Sequence, residues 1–276
     1  MSTLLAGLPV AEALYAAIKA DYGASPQQPC LAIVQVGQNP ASTIYIQKKV
    51  EALEALGGTG EMHIFPQDVS EQDLCNRIQD INQNPAIHGI LIQLPLPRHL
   101  TAATILAMID PDKDVDGLTP TNLGKITHGL PGTAAATPMA VMRLFDHYDI
   151  SLKGKHVVVI NNSILFGKPI LPLLTQAKAT VTMCHKDTQS LKNHTQMADI
   201  VITATGIPGL IDADDISSNA ILIDVGISRK EDKIVGDLSS TAIEKATAYT
   251  PVPGGIGPIT VACLIDNLYR KSTYLG

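Results

Sequence analysis

The strongest constraint in the chain is a recurring unit: a short run of apolar, largely β-branched residues, followed by a segment with helical spacing. In the first half the runs are "LAIVQVG" from Leu31, "MHIF" from Met62 and "GILIQLPLP" from Gly89. In the second they are "HVVVI" from His156, "ATVTMCH" from Ala179, "DIVITATG" from Asp199 and "AILIDVGI" from Ala220. A strand with no polar alternation is apolar on both faces, and a sheet of such strands is buried only when helices cover both sides. Between the runs, "SEQDLCNRIQDINQ" pairs Ser70 with Asp73 as a helix cap and places Leu74, Ile78 and Ile81 on one helical face. The pattern predicts an α/β chain with largely parallel sheets.

"THGLPGTAAATP", from Thr127 to Pro138, is rich in Gly, Ala, Thr and Pro and is the expected boundary. Two domains follow: residues 1–126 with the C-terminal helix 258–276 as an αβα domain, and residues 138–257 as a doubly wound, Rossmann-like domain. With 45% hydrophobic and 17% charged residues, the chain has the composition of a packed protein. A net charge of -6 argues against nucleic acid as a partner and favours small molecules. The 4 cysteines, Cys30, Cys75, Cys184 and Cys263, are scattered without zinc-site spacing and are expected to be reduced thiols. The N-terminus lacks a basic leader, and Glu12, Lys19 and Asp21 interrupt its apolar residues. Neither a signal peptide nor a membrane span fits, so a cytoplasmic location is expected.

Several polar residues stand out against this framework. In "ASTIYIQKKVEALEALGG", Ile46, Val50 and Leu53 should face the core, while Tyr45 and Lys49 lie four apart on a neighbouring stripe. An isolated pair of this kind is commonly a surface lysine lying over a ring. Gln93 interrupts an apolar strand at the end where ligands bind in parallel sheets, although an amide there can equally satisfy its own loop. "DPDKDVDGLTPTN" carries Asp110, Asp112, Asp114 and Asp116, but lacks the spacing and closing glutamate of a calcium loop, so no dedicated metal site is expected.

Taken in order, "PASTIYIQKKVEALEALG", "GILIQLPLP", "DKDVDGL" and "TPVPGGIGPIT" resemble the signatures of the bifunctional methylenetetrahydrofolate dehydrogenase/methenyltetrahydrofolate cyclohydrolase family, over nearly the whole chain. The resemblance implies a folate cleft between the two domains, with tetrahydrofolate derivatives as substrates. It makes Lys49 the catalytic lysine, Gln93 the amide that orients it, Tyr45 the ring packed on the folate and Asp116 the carboxylate that anchors the pterin. Leu94, Pro253, Gly254, Gly255 and Pro258 are implied to border the substrate, and a homodimer is implied as well. A lysine made less basic by partial burial suits the proton transfers of methenyl hydrolysis.

"VVVINNSILFGKPI" has the shape of a strand turning into a helix around a dinucleotide pyrophosphate. By resemblance Asn161, Asn162, Ser163, Gly167, Lys168 and Pro169 form this loop, with Asn161 standing where the family commonly has glycine. Asparagine tolerates the turn, but its side chain is expected to fill space that glycine leaves open. After the next strand come His185 and Lys186, a basic pair suited to the 2′-phosphate of NADP rather than the acidic residue typical of NAD sites. Thr205, Gly206, Asp224, Gly226 and Ile227 resemble the nicotinamide side. "AATP" replaces the family's frequent Pro-Cys-Thr-Pro, with Ala135 and Ala136 before Thr137.

Two enzymatic outcomes stay open: NADP-dependent oxidation of methylenetetrahydrofolate followed by hydrolysis to 10-formyltetrahydrofolate, or hydrolysis with a weak or absent oxidation step. A non-catalytic folate-binding homologue is a third reading, opposed by the complete Tyr45, Lys49, Gln93 and Asp116 set.

Overall fold

The computed structural model describes residues 2–23, 28–37, 40–231 and 233–274, the side chains of 40–45 and 274 excepted. The chain begins with β1 (Thr3–Leu4) and α1 (Gly7–Tyr22). The first half then alternates β2 (Cys30–Val36), α2 (Pro40–Glu54), β3 (Thr59–Phe65), α3 (Glu71–Gln83) and β4 (Gly89–Ile92), followed by the short helices α4 (Ala102–Ala107) and α5 (Pro120–Thr127). The second half runs α6 (Ala136–His147), β5 (His156–Ile160), α7 (Gly167–Gln176), β6 (Thr180–Cys184), α8 (Leu191–Thr195), β7 (Ile200–Thr203) and β8 (Ile221–Asp224). A hairpin of β9 (Ser228–Lys230) and β10 (Lys233–Val235) leads to α9 (Ser240–Lys245), β11 (Ala248–Tyr249) and the long α10 (Ile256–Tyr274).

The chain divides into two compact units, passing from one to the other after Glu12, Ala136 and Thr260. One unit, residues 13–136 with 261–276, holds a three-stranded sheet in the order β3-β2-β4, parallel throughout. Its centre is β2, where Leu31, Ala32, Ile33 and Val34 are fully buried. Helix α3 follows the expected pattern: Ser70 Oγ accepts the Asp73 N–H at 3.0 Å, and Leu74, Cys75, Ile78 and Ile81 form the buried face. In α10, Asn267 Nδ2 donates to the carbonyls of Val115 at 2.9 Å and Ala134 at 3.2 Å, fastening the last helix to this unit.

The other unit, residues 1–12 with 137–260, holds a six-stranded parallel sheet in the order β1-β11-β8-β7-β5-β6. Val157, Val158 and Val159 on β5 are fully buried, as a strand covered on both faces requires. From β5 the chain moves outward to β6, then returns to lay β7 on the opposite side of β5. The carboxyl ends of β5 and β7 thus form a topological switch point, where an open α/β sheet has its ligand crevice. Residues 1–12 were expected with the first half, but β1 pairs with β11 in this sheet. A strand of 2 residues has no periodicity from which its partner could be read.

All four cysteines are free, with Cys75, Cys184 and Cys263 buried. Among the described residues, no helix is long and apolar enough to cross a membrane.

Candidate active site and dinucleotide edge

Three elements of the first unit carry the residues expected at the Lys49 site. Helix α2 carries Lys49 one turn before its end, β4 is followed at once by Gln93 and Leu94, and the loop after α4 carries Asp116. Lys49 is half-buried and its basicity is lowered by desolvation, against which the Asp116 carboxylate acts. Asp116 is pushed up to about 6, chiefly by burial, with Lys49 lowering its pKa and Asp114 raising it. The two groups thus lie close enough to act on each other's charge. Tyr45 falls on α2, but its side chain lies outside the described residues.

Gln93 continues the sheet by donating its backbone N–H to the Val34 carbonyl at 2.8 Å. Its side-chain Nε2 donates to the Leu94 carbonyl at 2.7 Å, next to the cis Leu94–Pro95 bond. The carbonyl partner fixes which end of the amide is nitrogen, and the other end, Oε1, is buried without a hydrogen-bond partner among the described residues. No hydrogen bond joins Gln93 to Lys49 among those residues; the amide instead holds an unused acceptor in the interior.

The Asp116 loop rests on Asp114, one of the four carboxylates of its motif, and on Asn122 and Lys271, which the sequence does not single out. Asp114 is fully buried and accepts the N–H groups of Leu118 at 3.2 Å and Thr119 at 2.8 Å, with Asn122 Nδ2 at 2.9 Å. Asn122 also donates to the Pro111 carbonyl, as does Lys271 Nζ from α10, each at 2.9 Å. Gly117 turns the chain with a φ of 68°, and a Cβ there would lie 2.5 Å from the Ala134 backbone. In "DVDG", then, Asp114 is directed into the loop's own amides, whereas the Asp116 carboxylate accepts no hydrogen bond among the described residues. The paired Asx signals at Asp114 and Asn122 were present in the sequence, but only the closed loop joins them.

In the second unit, the dinucleotide candidates gather at the carboxyl ends of the parallel strands. Asn161 directly follows β5, and its Nδ2 donates to the Ala204 carbonyl beyond β7 at 2.6 Å. Its Oδ1 accepts the N–H groups of Ser163 at 2.8 Å and Gly167 at 3.0 Å. The side chain that stands in place of glycine is engaged on all three bonds with its own protein. Ser163 Oγ accepts the Phe166 N–H and Ser163 O the Lys168 N–H, while Asn162 and Lys168 are exposed and Pro169 is buried in the first turn of α7. The N–H groups of Ile164 and Leu165 have no protein partner among the described residues. An anion approaching the start of α7 would meet these donors.

His185 and Lys186 are exposed just beyond β6, where His185 Nδ1 lies 3.7 Å from an Asp187 carboxylate oxygen. The loop after β7 is ordered by Asp237, another residue the sequence did not flag. Its fully buried carboxylate accepts Thr203 Oγ1 at 2.7 Å, the Thr205 N–H and hydroxyl at 2.7 and 2.9 Å, and the Ile207 N–H at 3.0 Å. Gly206 is tied to the next loop, its carbonyl accepting Ser228 Oγ at 2.5 Å.

Asp224 is also buried, and its oxygens accept the N–H groups of Gly226 at 3.0 Å, Asp237 at 2.8 Å and Leu238 at 3.1 Å. Burial and the neighbouring Asp237 raise its carboxyl to about 7, against those three backbone donors. Asp224 acts as a strut within this edge: it holds Asp237, which holds the β7 loop. Gly226 is required beside it, because a Cβ would stand 2.2 Å from Asp237 Oδ1. Ile227, with Leu165 and Ile207 from the other strand-end loops, is an exposed apolar side chain at this edge. Pro253 follows a cis bond, the Gly254 carbonyl accepts the Gly7 N–H at 2.8 Å, Gly255 is buried and Pro258 sits in the first turn of α10.

Comparison with known proteins matches both parts of the chain. The family described as "Tetrahydrofolate dehydrogenase/cyclohydrolase, catalytic domain" matches residues 5–116, and "Tetrahydrofolate dehydrogenase/cyclohydrolase, NAD(P)-binding domain" matches residues 135–274. The chain is 46% identical to the bifunctional protein FolD of Nautilia profundicola, over 88% of this chain and 87% of that one. It is 43% identical to the FolD of Chlamydia felis, over 98% and 99%. Among solved structures, it is similar to the bifunctional FolD methylenetetrahydrofolate dehydrogenase/cyclohydrolase of Campylobacter jejuni, with a TM-score of 0.95 and 37% identity over 99% of each chain. It is also similar to the Trypanosoma brucei FolD complexed with NADP cofactor and inhibitor, with a TM-score of 0.93 and 30% identity over 99% of this chain and 98% of that one. With two family models covering residues 5–116 and 135–274 and curated relatives above 40% identity over most of its length, the chain belongs to the tetrahydrofolate dehydrogenase/cyclohydrolase family.

Proposed function

We propose that this protein oxidises 5,10-methylenetetrahydrofolate with NADP and hydrolyses the resulting 5,10-methenyl compound to 10-formyltetrahydrofolate. The observation that carries the reading is the Lys49 corner, a lysine made less basic by burial and coupled to Asp116; the unused buried acceptor of Gln93, after β4, supports it. Polar groups left short of partners inside a protein are costly, and a ligand that completes them is the usual reason they persist.

In hydrolysis, water adds to the electrophilic methenyl carbon and one of its protons passes to the neutral Lys49 amine. The ammonium gives that proton to the folate nitrogen as the carbon–nitrogen bond breaks; the adduct's hydroxyl proton then passes to the freed amine and on to solvent, leaving the formyl group on the other nitrogen. Lowered basicity is what lets Lys49 take both roles near neutrality. Gln93 Oε1 accepts from the lysine or the water. Asp116 accepts the pterin's amino and ring N–H donors, a pairing that favours its ionised form. Tyr45 packs on the folate rings.

NADP fits the second unit's residues: open N–H groups at Ile164 and Leu165 suit a pyrophosphate, and exposed His185 and Lys186 suit a 2′-phosphate. When bound, NADP supplies the hydride acceptor for the first step. The chain's part in that step is positional, through the loops held by Asn161 and Asp237.

A homodimer is supported by β3, an edge strand whose Met62 and Ile64 are exposed. A cytoplasmic location accords with these reactants. The test is absorbance of methenyltetrahydrofolate: its formation from methylenetetrahydrofolate with NADP, and its enzyme-dependent decay without nucleotide. Absence of both signals would overturn the reading.

A further inference from the structure

The turn after β5 makes unusually full use of one side chain. Asn161 Oδ1 receives two backbone N–H groups, from Ser163 and Gly167, and Nδ2 reaches across to the Ala204 carbonyl beyond β7. The amide cannot be reversed, since an NH₂ group would then face two donors. Both acceptor sites of the oxygen and one of the two amide hydrogens are therefore occupied inside the protein. The two strands joined are those flanking the switch point, and Gly167 is the first residue of α7.

We propose that Asn161 is a positioning residue for the dinucleotide: it locks the β5 turn, the β7 loop and the start of α7 into one preformed crevice before the cofactor arrives. This rests on the dinucleotide reading above and adds a role that the backbone turn alone does not carry. Without the side chain, Ser163 and Gly167 lose their shared acceptor and the crevice loses its cross-strand tie. A glycine there also admits many more backbone conformations that binding must then remove. Within the turn the N–H groups of Ile164 and Leu165 stay open to an anion, whereas those of Phe166 and Lys168 are already bonded to Ser163. Holding these two N–H groups in place is what the Asn161 bonds accomplish.

The experiment pairs steady-state kinetics with amide exchange. Asn161→Gly should raise KM for NADP and the Kd for NADPH by about tenfold, while kcat at saturating NADP changes by less than about twofold. Asn161→Asp keeps two acceptor bonds but sets a carboxylate against the Ala204 carbonyl; it should weaken NADP binding at least as much, with folding followed by thermal melting. In the wild-type protein without nucleotide, the amides of Ser163 and Gly167 should already be protected from hydrogen exchange. An unchanged or lower KM in Asn161→Gly overturns the proposal. If neither variant folds, the wild-type exchange decides: amides protected only after NADP is added overturn it. Failure of the dinucleotide reading is distinct, because wild type would then hydrolyse methenyltetrahydrofolate but bind no NADPH, whatever the amides do.

Discussion

Asp116 and Asp237 both lie in loops of a parallel α/β unit, yet their surroundings differ in kind. Asp237 is saturated: two hydroxyls and two backbone N–H groups point at it, and Asp224 secures its own amide. Asp116 has no hydrogen-bond donor among the described residues and faces a half-buried lysine, while Gln93 keeps an idle oxygen. The contrast separates scaffold from chemistry. A buried acid whose lone pairs are filled fixes loop geometry, whereas one left short is ready for a ligand.

The comparison can be broken by substitution. Lys49→Met should lower the cyclohydrolase rate by about 1000-fold with little change in thermal stability, and Lys49→Arg should not restore it, because a guanidinium does not release its proton. Asp237→Ala should do the reverse, removing about 3 kcal/mol of stability in a denaturant titration by stranding four donors. Equal damage to folding from both variants would erase the distinction. Gln93→Ala should slow hydrolysis by about 30-fold, as the loss of an orienting group rather than of the proton carrier.

The buried acids also set a pH dependence. Asp224 is raised from 3.8 to about 7, and Asp116 from 3.8 to about 6. Between about pH 4 and pH 7 the native protein thus holds protons the unfolded chain has released, so these groups make stability fall as pH rises through that window. Melting curves should show the decline, and Asp224→Asn should flatten its upper part. The smallest effect is expected at the exposed cofactor edge: Lys186→Ala should raise KM for NADP by about fivefold and leave KM for NAD unchanged.

Much of this organisation is legible before folding. The apolar runs determined the parallel sheets, since strands with no polar face have no other way to be buried. The Ser70 cap and the Leu74, Ile78 and Ile81 face follow from local rules that the helix obeys. Lys49 and Asp116 were nominated from spacing and resemblance, and the fold brings them together from segments far apart in sequence.

What only tertiary structure decided is which polar groups are satisfied. Asp114 and Asp116 are two residues apart in one motif, but one turns into its loop's amides and the other toward Lys49. Asp224 secures the amide of Asp237, and Asp237, which no motif marks, organises a loop. Asn161, in place of glycine, ties two strands together. Hydrophobic patterning is local and repeats along the chain, so the sequence by itself determines the layers. A hydrogen bond depends on direction and on partners far along the chain, 43 residues from Asn161 to Ala204 and 160 from Lys271 to Pro111, so only the folded chain determines which groups remain free for chemistry.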